Sequence, residues 1–119
     1  MKKILVIDDD EAILHATKLI LELQGYSVET YTNTACIKKL DKEKPNLILL
    51  DVMLSGEDGR EICKKLKKHK ATHTIPIILF SANARSAIIA NQKEIMNDGF
   101  IEKPFDMDHL IQTVRQFVP

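Results

Sequence analysis

The chain alternates short apolar runs with longer segments of helical period, and this alternation is the strongest constraint on its fold. Four runs are nearly continuous in valine, isoleucine, leucine and phenylalanine, at residues 4–7, 47–50, 77–80 and 100–101. Such runs are typical of parallel strands that are buried on both faces by helices. A fifth run, Ser27–Tyr31, is more polar and alternating, which suits a strand at the edge of the sheet.

Five helices are predicted to follow these strands in strict alternation. The first begins after Asp10 and ends near Gly25, with Ile13, Thr17, Ile20 and Leu21 facing inward; the second spans 34–43; the third follows Gly59; the fourth lies within 85–96; the fifth has Asp106 as its N-cap. Right-handed crossovers leave few arrangements. We therefore expect one α/β domain over residues 1–119, a doubly wound, flavodoxin-like, five-stranded parallel sheet of order 2-1-3-4-5 with helices on both faces.

Composition argues against several classes of partner. Lysine plus arginine (17) balances aspartate plus glutamate (17), so the basic surplus typical of direct nucleic-acid binding is missing. The apolar run near the N-terminus covers only residues 4–7 before three aspartates, which is too short for a signal peptide or a membrane span. Cys36 and Cys63 lack metal-ligand spacing and are interpreted as buried or half-buried thiols of a reducing compartment. A cytoplasmic protein is expected.

Five lysines cluster near the end of the third predicted helix. They are Lys64, Lys65, Lys67, Lys68 and Lys70. Because cations at a helix C-terminus suit the macrodipole, we interpret the cluster as a solvated helix end rather than a docking site for an acidic partner.

Polar residues follow each of the four buried runs. They are Asp8, Asp9 and Asp10 after the first, then Asp51, Ser81 and Lys103 after the others. The carboxyl ends of parallel strands meet at one edge of the sheet, which is where ligands bind in open α/β folds. Carboxylates crowded there repel one another unless a cation lies between them, and oxygen-only ligands favour a hard ion such as Mg²⁺. Asp51 is then either a further ligand or a nucleophile that attacks phosphorus.

These residue types together match the needs of phosphoryl transfer, which are mainly positioning and neutralisation of the phosphoryl oxygens. The Lys103 ammonium and the Ser81 hydroxyl are candidate partners for those oxygens, and backbone N–H groups of residues 53–56 are further candidates. Each residue alone has an ordinary explanation, such as a helix cap for Asp10 or a surface position for Lys103. Their joint occurrence at the ends of four predicted strands predicts a phosphoryl-transfer site.

The chain resembles the receiver domain of two-component response regulators, of the chemotaxis-regulator type, in the segments KILVIDDDE, LILLDVMLSGEDG, IILFSAN and GFIEKPF. The resemblance covers essentially all 119 residues. It implies a phosphoacceptor signalling module rather than an enzyme, with weak self-catalysed phosphorylation and dephosphorylation. It also implies a sensor histidine kinase or histidine phosphotransfer protein as phosphoryl donor, and an effector domain or protein as the recipient of the signal.

The resemblance further implies roles for the site residues. Asp51 would be the phosphoacceptor, and Lys103 would pair with the acyl phosphate. The implied ligands of Mg²⁺, or of Mn²⁺ in its place, are Asp8, Asp9, Asp51 and the backbone carbonyl of Met53. Ser81 and Phe100 would move together and reshape the surface made by the fourth helix, the fifth strand and the fifth helix.

Three departures from the family pattern carry expectations of their own. Many relatives have proline where Ser55 stands, so a less rigid loop is expected here. Phe100 is often tyrosine in relatives and can report its rotamer only by packing. Met53 and Asn83 occupy the positions that tend to tune self-dephosphorylation in relatives; methionine cannot orient an attacking water by hydrogen bonding, whereas the Asn83 amide has groups that can. We therefore expect a phosphorylated lifetime of minutes or longer.

Two alternatives stand beside this interpretation. A Mg²⁺-dependent phosphatase of the haloacid-dehalogenase type also forms an aspartyl phosphate, and the three aspartates at 8–10 offer its D-x-D pattern. Glu11 and Ala12 follow where that family has glycine and threonine, however, and the chain is short for that fold. A degenerate receiver kept only for docking is the second alternative, and the complete set of polar residues argues against it.

Overall fold

One five-stranded parallel sheet forms the centre of the molecule. The computed structural model describes residues 1–40, 42–81, 97–103 and 105–119. The strands are β1 (Lys3–Ile7), β2 (Ser27–Tyr31), β3 (Leu47–Asp51), β4 (Ile77–Ser81) and β5 (Gly99–Glu102). Their order across the sheet is β2-β1-β3-β4-β5, with every neighbouring pair parallel. The predicted fold class and strand order are therefore confirmed.

Three α-helices are described, and each begins at an aspartate that caps it. They are α1 (Glu11–Leu23), α2 (Gly59–Lys68) and α3 (Met107–Phe117). The side chains of Asp10, Asp58 and Asp106 accept hydrogen bonds from backbone N–H groups of the first turn, which would otherwise lack partners. None of the described helices has the length and apolar character that a membrane crossing requires.

The second predicted helix differs from expectation. Residues 34–43 were expected to be α-helical, but the structure has a short 3₁₀ helix, Ala35–Lys39. Thr34 stands at its N-cap and makes no capping bond; its hydroxyl donates to the Glu57 carboxylate, at 2.7 Å from Oε2, while the Ala35 N–H donates to Asn33 Oδ1 at 2.9 Å. A segment this short is marginal as an isolated α-helix, so its periodicity does not determine whether it forms an α-helix or a 3₁₀ helix. The fourth predicted helix, at 85–96, lies outside the described residues.

Two apolar cores lie on opposite faces of the sheet, because successive side chains of a strand point to opposite sides. On one face the strands pack with the 3₁₀ helix and α2, and Cys36 and Cys63 lie in this core as free thiols. Burial raises the pKa of Cys36 to about 11 and that of Cys63 to about 12, so neither thiol is a nucleophile at neutral pH. On the other face the strands pack with α1 and α3.

The lysine cluster of α2 is only partly a solvated helix end. Lys65, Lys68 and Lys70 are exposed, as predicted. The Lys67 side chain is only 10% exposed; its Nζ lies 2.5 Å from Asp98 Oδ2 and donates to the Ile75 carbonyl at 2.8 Å. The interpretation was therefore wrong for Lys67, which fastens α2 to the chain segments that enter β4 and β5.

Candidate functional site

Three aspartates converge at the carboxyl edge of the sheet, where β1 and β3 end side by side. Ile7 pairs with Leu50 across these strands, so the next residues, Asp8 and Asp51, are neighbours. Asp8 is fully buried and Asp51 is 4% exposed, whereas Asp9 is exposed. Each of the three offers a carboxylate oxygen, and these oxygens lie within 4.8 Å of one another.

The loop between β1 and α1 fixes Asp8 through its neighbour Asp10. The Asp10 N–H donates to Asp8 Oδ1 at 2.9 Å. The Asp10 carboxylate itself accepts from the N–H groups of Ala12 and Ile13, at 3.0 and 3.3 Å. Asp10 is therefore the N-cap of α1 rather than a member of the acidic cluster, and this weakens the D-x-D interpretation of the three aspartates.

A close approach of backbones positions Asp51 from the other side. After Asp51 the chain forms a small hairpin, in which Met53–Leu54 pairs with Glu57–Asp58. The Gly59 N–H then donates to the Val52 carbonyl at 2.7 Å, which brings the start of α2 against the end of β3. A Cβ atom at Gly59 would lie 2.0 Å from the Asp51 carbonyl oxygen, so only glycine fits here.

Lys103 brings a positive charge to the two buried carboxylates. It follows β5, and its N–H donates to the Ser81 carbonyl at 2.7 Å. Its Nζ lies 2.7 Å from Asp8 Oδ2 and 3.3 Å from Asp51 Oδ1. One ammonium thus bridges two carboxylates that come from different strands.

The electrostatics of this trio are unbalanced, because two carboxylates share one ammonium. Burial, and then the charge of Asp8, raise the pKa of Asp51 to about 6, although Lys103 acts in the opposite direction. Burial works against the charge on Lys103, but its hydrogen bond to Asp8 and the charges of both aspartates prevail and raise its pKa. Lys103 therefore stays protonated, and the trio carries a net negative charge when both aspartates are ionised.

The acidic cluster fits a hard divalent cation. Three carboxylate oxygens within 4.8 Å of one another form an oxygen-only donor set, and Mg²⁺ is commonly held by a few carboxylates with water and substrate oxygens completing its shell. Met53, whose carbonyl was predicted as a further ligand, lies on the adjoining hairpin, and its N–H donates to Asp51 Oδ1 at 3.4 Å.

The remaining predicted site residues lie on β4 and β5. Ser81 is the last residue of β4 and is 1% exposed, on the strand next to the one that carries Asp51. Phe100 lies on β5, is half-buried and packs against the core beneath α2, so it is not part of the acidic cluster. The structure thus brings Asp8, Asp9, Asp51 and Lys103 together and places Phe100 apart from them.

Sequence reasoning missed the roles of two residues at this edge. Gly59 was used only to mark a helix start, although its position shortly after an aspartate-ended strand is a signal of close backbone packing. The Ser55 hydroxyl donates to Asp9 Oδ2 at 3.0 Å. The sequence alone treats Ser55 only as a replacement for proline, and a contact across 46 positions has no local signal.

Comparison with known proteins agrees with this architecture. The sequence model of the family described as "Response regulator receiver domain" matches residues 4–115. The nisin biosynthesis regulatory protein NisR of Lactococcus lactis is 39% identical over 113 residues, which are 94% of this chain and 48% of that protein. The alkaline phosphatase synthesis transcriptional regulatory protein PhoP of Bacillus subtilis is 40% identical over 105 residues, which are 87% of this chain and 43% of that protein. The chain spans about half the length of these curated relatives.

Solved structures are similar along the whole chain. A two-component response regulator from Clostridium difficile is 30% identical with a TM-score of 0.88, over 99% of this chain and 96% of that one. A CheY-like response regulator receiver domain protein from Methanospirillum hungatei is 31% identical with a TM-score of 0.87, over 98% of this chain and 92% of that one. The similarity therefore includes both the sequence and the arrangement of the elements that carry the site.

Proposed function

This chain belongs to the response regulator receiver family, and from that premise we propose that Asp51 is the residue that accepts the phosphoryl group. As a receiver domain, the chain is a signalling module of two-component systems. The observation that carries the proposal is the meeting of three strands at one charged site. There the Lys103 Nζ lies 2.7 Å from Asp8 and 3.3 Å from Asp51.

In the proposed reaction, a carboxylate oxygen of Asp51 attacks the phosphorus of a phosphohistidine. The O–P bond forms as the P–N bond breaks, and the imidazole leaves with the bonding electron pair and takes up a proton from solvent. Attack requires an ionised carboxylate, and a pKa of about 6 leaves most of Asp51 ionised at neutral pH. The Lys103 ammonium, which is already beside Asp51, is positioned to neutralise charge on the phosphoryl oxygens.

Asp8, Asp9, Asp51 and the carbonyl of Met53 would hold Mg²⁺, with Mn²⁺ as a substitute. When bound, the ion supplies positive charge to the phosphoryl oxygens and holds them for in-line attack. The support for this set is the spacing of the three carboxylate oxygens. The Asp10 N–H and the Lys103 ammonium orient the Asp8 carboxylate in advance.

Ser81 and Phe100 are the proposed switch residues. The Ser81 hydroxyl would move toward a phosphoryl group on Asp51, and Phe100 would turn inward from its half-buried position. β4 and β5 pair in register from Ile78–Gly99 to Ser81–Glu102, so the two residues lie on adjacent strands. A charge change at Asp51 would in this way alter the surface of β5, α3 and the fourth predicted helix, the last of which lies outside the described residues.

The proposed partners follow from this role. A sensor histidine kinase or a histidine phosphotransfer protein would donate the phosphoryl group, and an effector domain or protein would read the altered surface. A net charge of zero favours contacts with proteins over direct contacts with nucleic acid or membrane. We place the protein in the cytoplasm, with residues 1–119 as one domain and with weak self-catalysed phosphorylation and dephosphorylation rather than enzymatic turnover.

Intact-mass measurement after incubation with acetyl phosphate and Mg²⁺ tests this proposal. One phosphoryl adduct is expected on the wild type and none on Asp51→Asn, while EDTA should abolish the adduct. Asp108→Asn, which changes an exposed aspartate on α3, is the matched control and should be phosphorylated like the wild type. An adduct that persists on Asp51→Asn would contradict the assignment, and rapid turnover of a phosphate ester would favour the phosphatase alternative.

A further inference from the structure

We propose that the Ser55 hydroxyl is a positioning group for metal binding, which holds the exposed carboxylate of Asp9 in the orientation that a divalent cation requires. The inference rests on the proposed function, since it assigns a role to Ser55 at the same Mg²⁺ site. It concerns a turn position where this chain has a side chain that can donate a hydrogen bond.

The geometry singles out Asp9 among the three aspartates. Asp8 is fully buried and receives the Asp10 N–H and the Lys103 ammonium. Asp51 is nearly buried and receives the Lys103 ammonium. Asp9 is exposed, and within the described part of the chain its carboxylate has one hydrogen-bond partner, the Ser55 hydroxyl at 3.0 Å from Oδ2.

A carboxylate can accept this hydrogen bond and still bind an ion. Its two oxygens offer about four lone-pair positions, and the Ser55 hydroxyl occupies one of them. Without a partner, an exposed aspartate samples several rotamers, and ordering it on binding lowers the affinity for the ion. Carboxylates that bind metals are commonly held by a hydrogen bond from a neighbouring residue. Ser55 meets this need for the one aspartate that the fold does not bury.

A second contact ties the same hairpin to the protein without touching the acidic cluster. On the other side of the turn at Gly56, whose φ is +76°, the Glu57 carboxylate accepts from the Thr34 hydroxyl at 2.7 and 3.0 Å. The Ser55 hydroxyl therefore anchors the turn of the hairpin to the loop after β1, and the Thr34 hydroxyl anchors the second strand of the hairpin to the start of the 3₁₀ helix. Removing the Thr34 hydroxyl loosens the hairpin and leaves the Ser55–Asp9 contact in place, which makes Thr34 the matched control.

Isothermal titration calorimetry with Mg²⁺ on the purified chain tests the proposal. Ser55→Ala should bind Mg²⁺ about three- to tenfold more weakly than the wild type, at or below the lower end of the range for such supporting residues because the contact is exposed. Ser55→Thr keeps the hydroxyl and should restore the wild-type affinity. Thr34→Val should bind Mg²⁺ as the wild type does. In an Asp9→Asn background, Ser55→Ala should have no further effect, because the group it orients is gone.

Each alternative result overturns the role of Ser55. Equal affinities of Ser55→Ala and wild type would show that the hydroxyl does not orient Asp9. Equal weakening by Ser55→Ala and Thr34→Val would show that hairpin stiffness alone matters, and failure of Ser55→Thr to rescue would exclude the hydroxyl. These outcomes leave the proposed function intact when the wild type binds Mg²⁺ and is phosphorylated on Asp51. A wild type that binds no Mg²⁺ overturns both.

Discussion

Replacing Asp51 with asparagine should make the metal-free protein more stable at neutral pH, even though it removes the proposed phosphoacceptor. Asp51 is 4% exposed, and its burial and the nearby charge of Asp8 raise its pKa from 3.8 to about 6. A shift of roughly two pKa units corresponds to about 3 kcal/mol, at about 1.4 kcal/mol per unit. Ionised Asp51 therefore lowers the free energy of unfolding by up to about this amount, whereas a neutral amide of the same shape does not.

The predicted effect depends on pH in a defined direction. Between about pH 4 and pH 6 the folded protein binds more protons at Asp51 than the unfolded chain does. The contribution of Asp51 to the free energy of unfolding therefore falls as the pH rises from about 4 to about 6. Above about pH 6 this contribution has reached its lowest value. Asparagine does not titrate. We expect Asp51→Asn to be about 2–3 kcal/mol more stable than the wild type near pH 8, with the difference shrinking toward zero near pH 4.

Urea unfolding in EDTA, followed by far-UV circular dichroism, measures this difference in a chain that has no tryptophan. The matched control is Asp9→Asn, which removes an exposed carboxylate of the same cluster and should change stability by less than about 0.5 kcal/mol. Mg²⁺ at about 100 times its Kd should reduce the stability difference between Asp51→Asn and the wild type, because it adds about 2.7 kcal/mol to the wild type and less to a variant that lacks one of the proposed ligands. The reasoning would be refuted if Asp51→Asn were no more stable than the wild type near neutral pH. It would also be refuted if the gain in stability were the same at every pH.

Three further changes probe other parts of the structure. Lys67→Met should lose about 1–3 kcal/mol of stability in urea, because it removes an ion pair and a hydrogen bond to a carbonyl; exposed Lys68→Met should change little, and equal effects would contradict the contact. Gly59→Ala should lose about 2–3 kcal/mol, because its Cβ would lie 2.0 Å from the Asp51 carbonyl oxygen; a variant as stable as the wild type would show that the backbones separate easily. Met53→Asn should shorten the phosphorylated lifetime measured by intact mass, and wild-type decay within seconds that Met53→Asn leaves unchanged would refute that expectation.

The sheet could be predicted from the sequence because its signal is local and strong. Strands buried on both faces must be apolar at nearly every position, and the central strands β3 and β4 are buried throughout. Helix faces were less certain. The inward stripe of α1 was expected to include Ile13, but the structure buries Leu14 and leaves Ile13 half-buried. Adjacent positions on a helix differ by only about 100° of rotation, so a stripe with apolar residues at both edges does not define its centre.

The features that escaped prediction are those that depend on distant partners. In the sequence, Lys67 is one of five clustered lysines and has no feature that distinguishes it from a solvated lysine. Its partner Asp98 is distant in sequence and becomes a neighbour only in the folded chain. The segment at 34–43 has a helical pattern, and nothing in that pattern shows that the Thr34 hydroxyl bonds Glu57, 23 positions away. The hydrogen bond from Ser55 to Asp9 likewise joins residues that are far apart in sequence. Propensity and periodicity describe a residue by its neighbours in sequence, so they predict elements well and side-chain pairings between loops poorly.

The instability of the acidic site and its proposed chemistry have the same physical origin. The fold places two carboxylates, Asp8 and Asp51, where water is largely excluded, and supplies one ammonium, Lys103, between them. Burial and the excess negative charge raise the pKa of Asp51, and the same charge attracts a divalent cation to the site. A neutral residue at position 51 would relieve the repulsion and would also remove the proposed nucleophile. The proposed reaction therefore requires a site that is less stable than it could be, and the burial of the apolar strands on either side offsets that loss of stability.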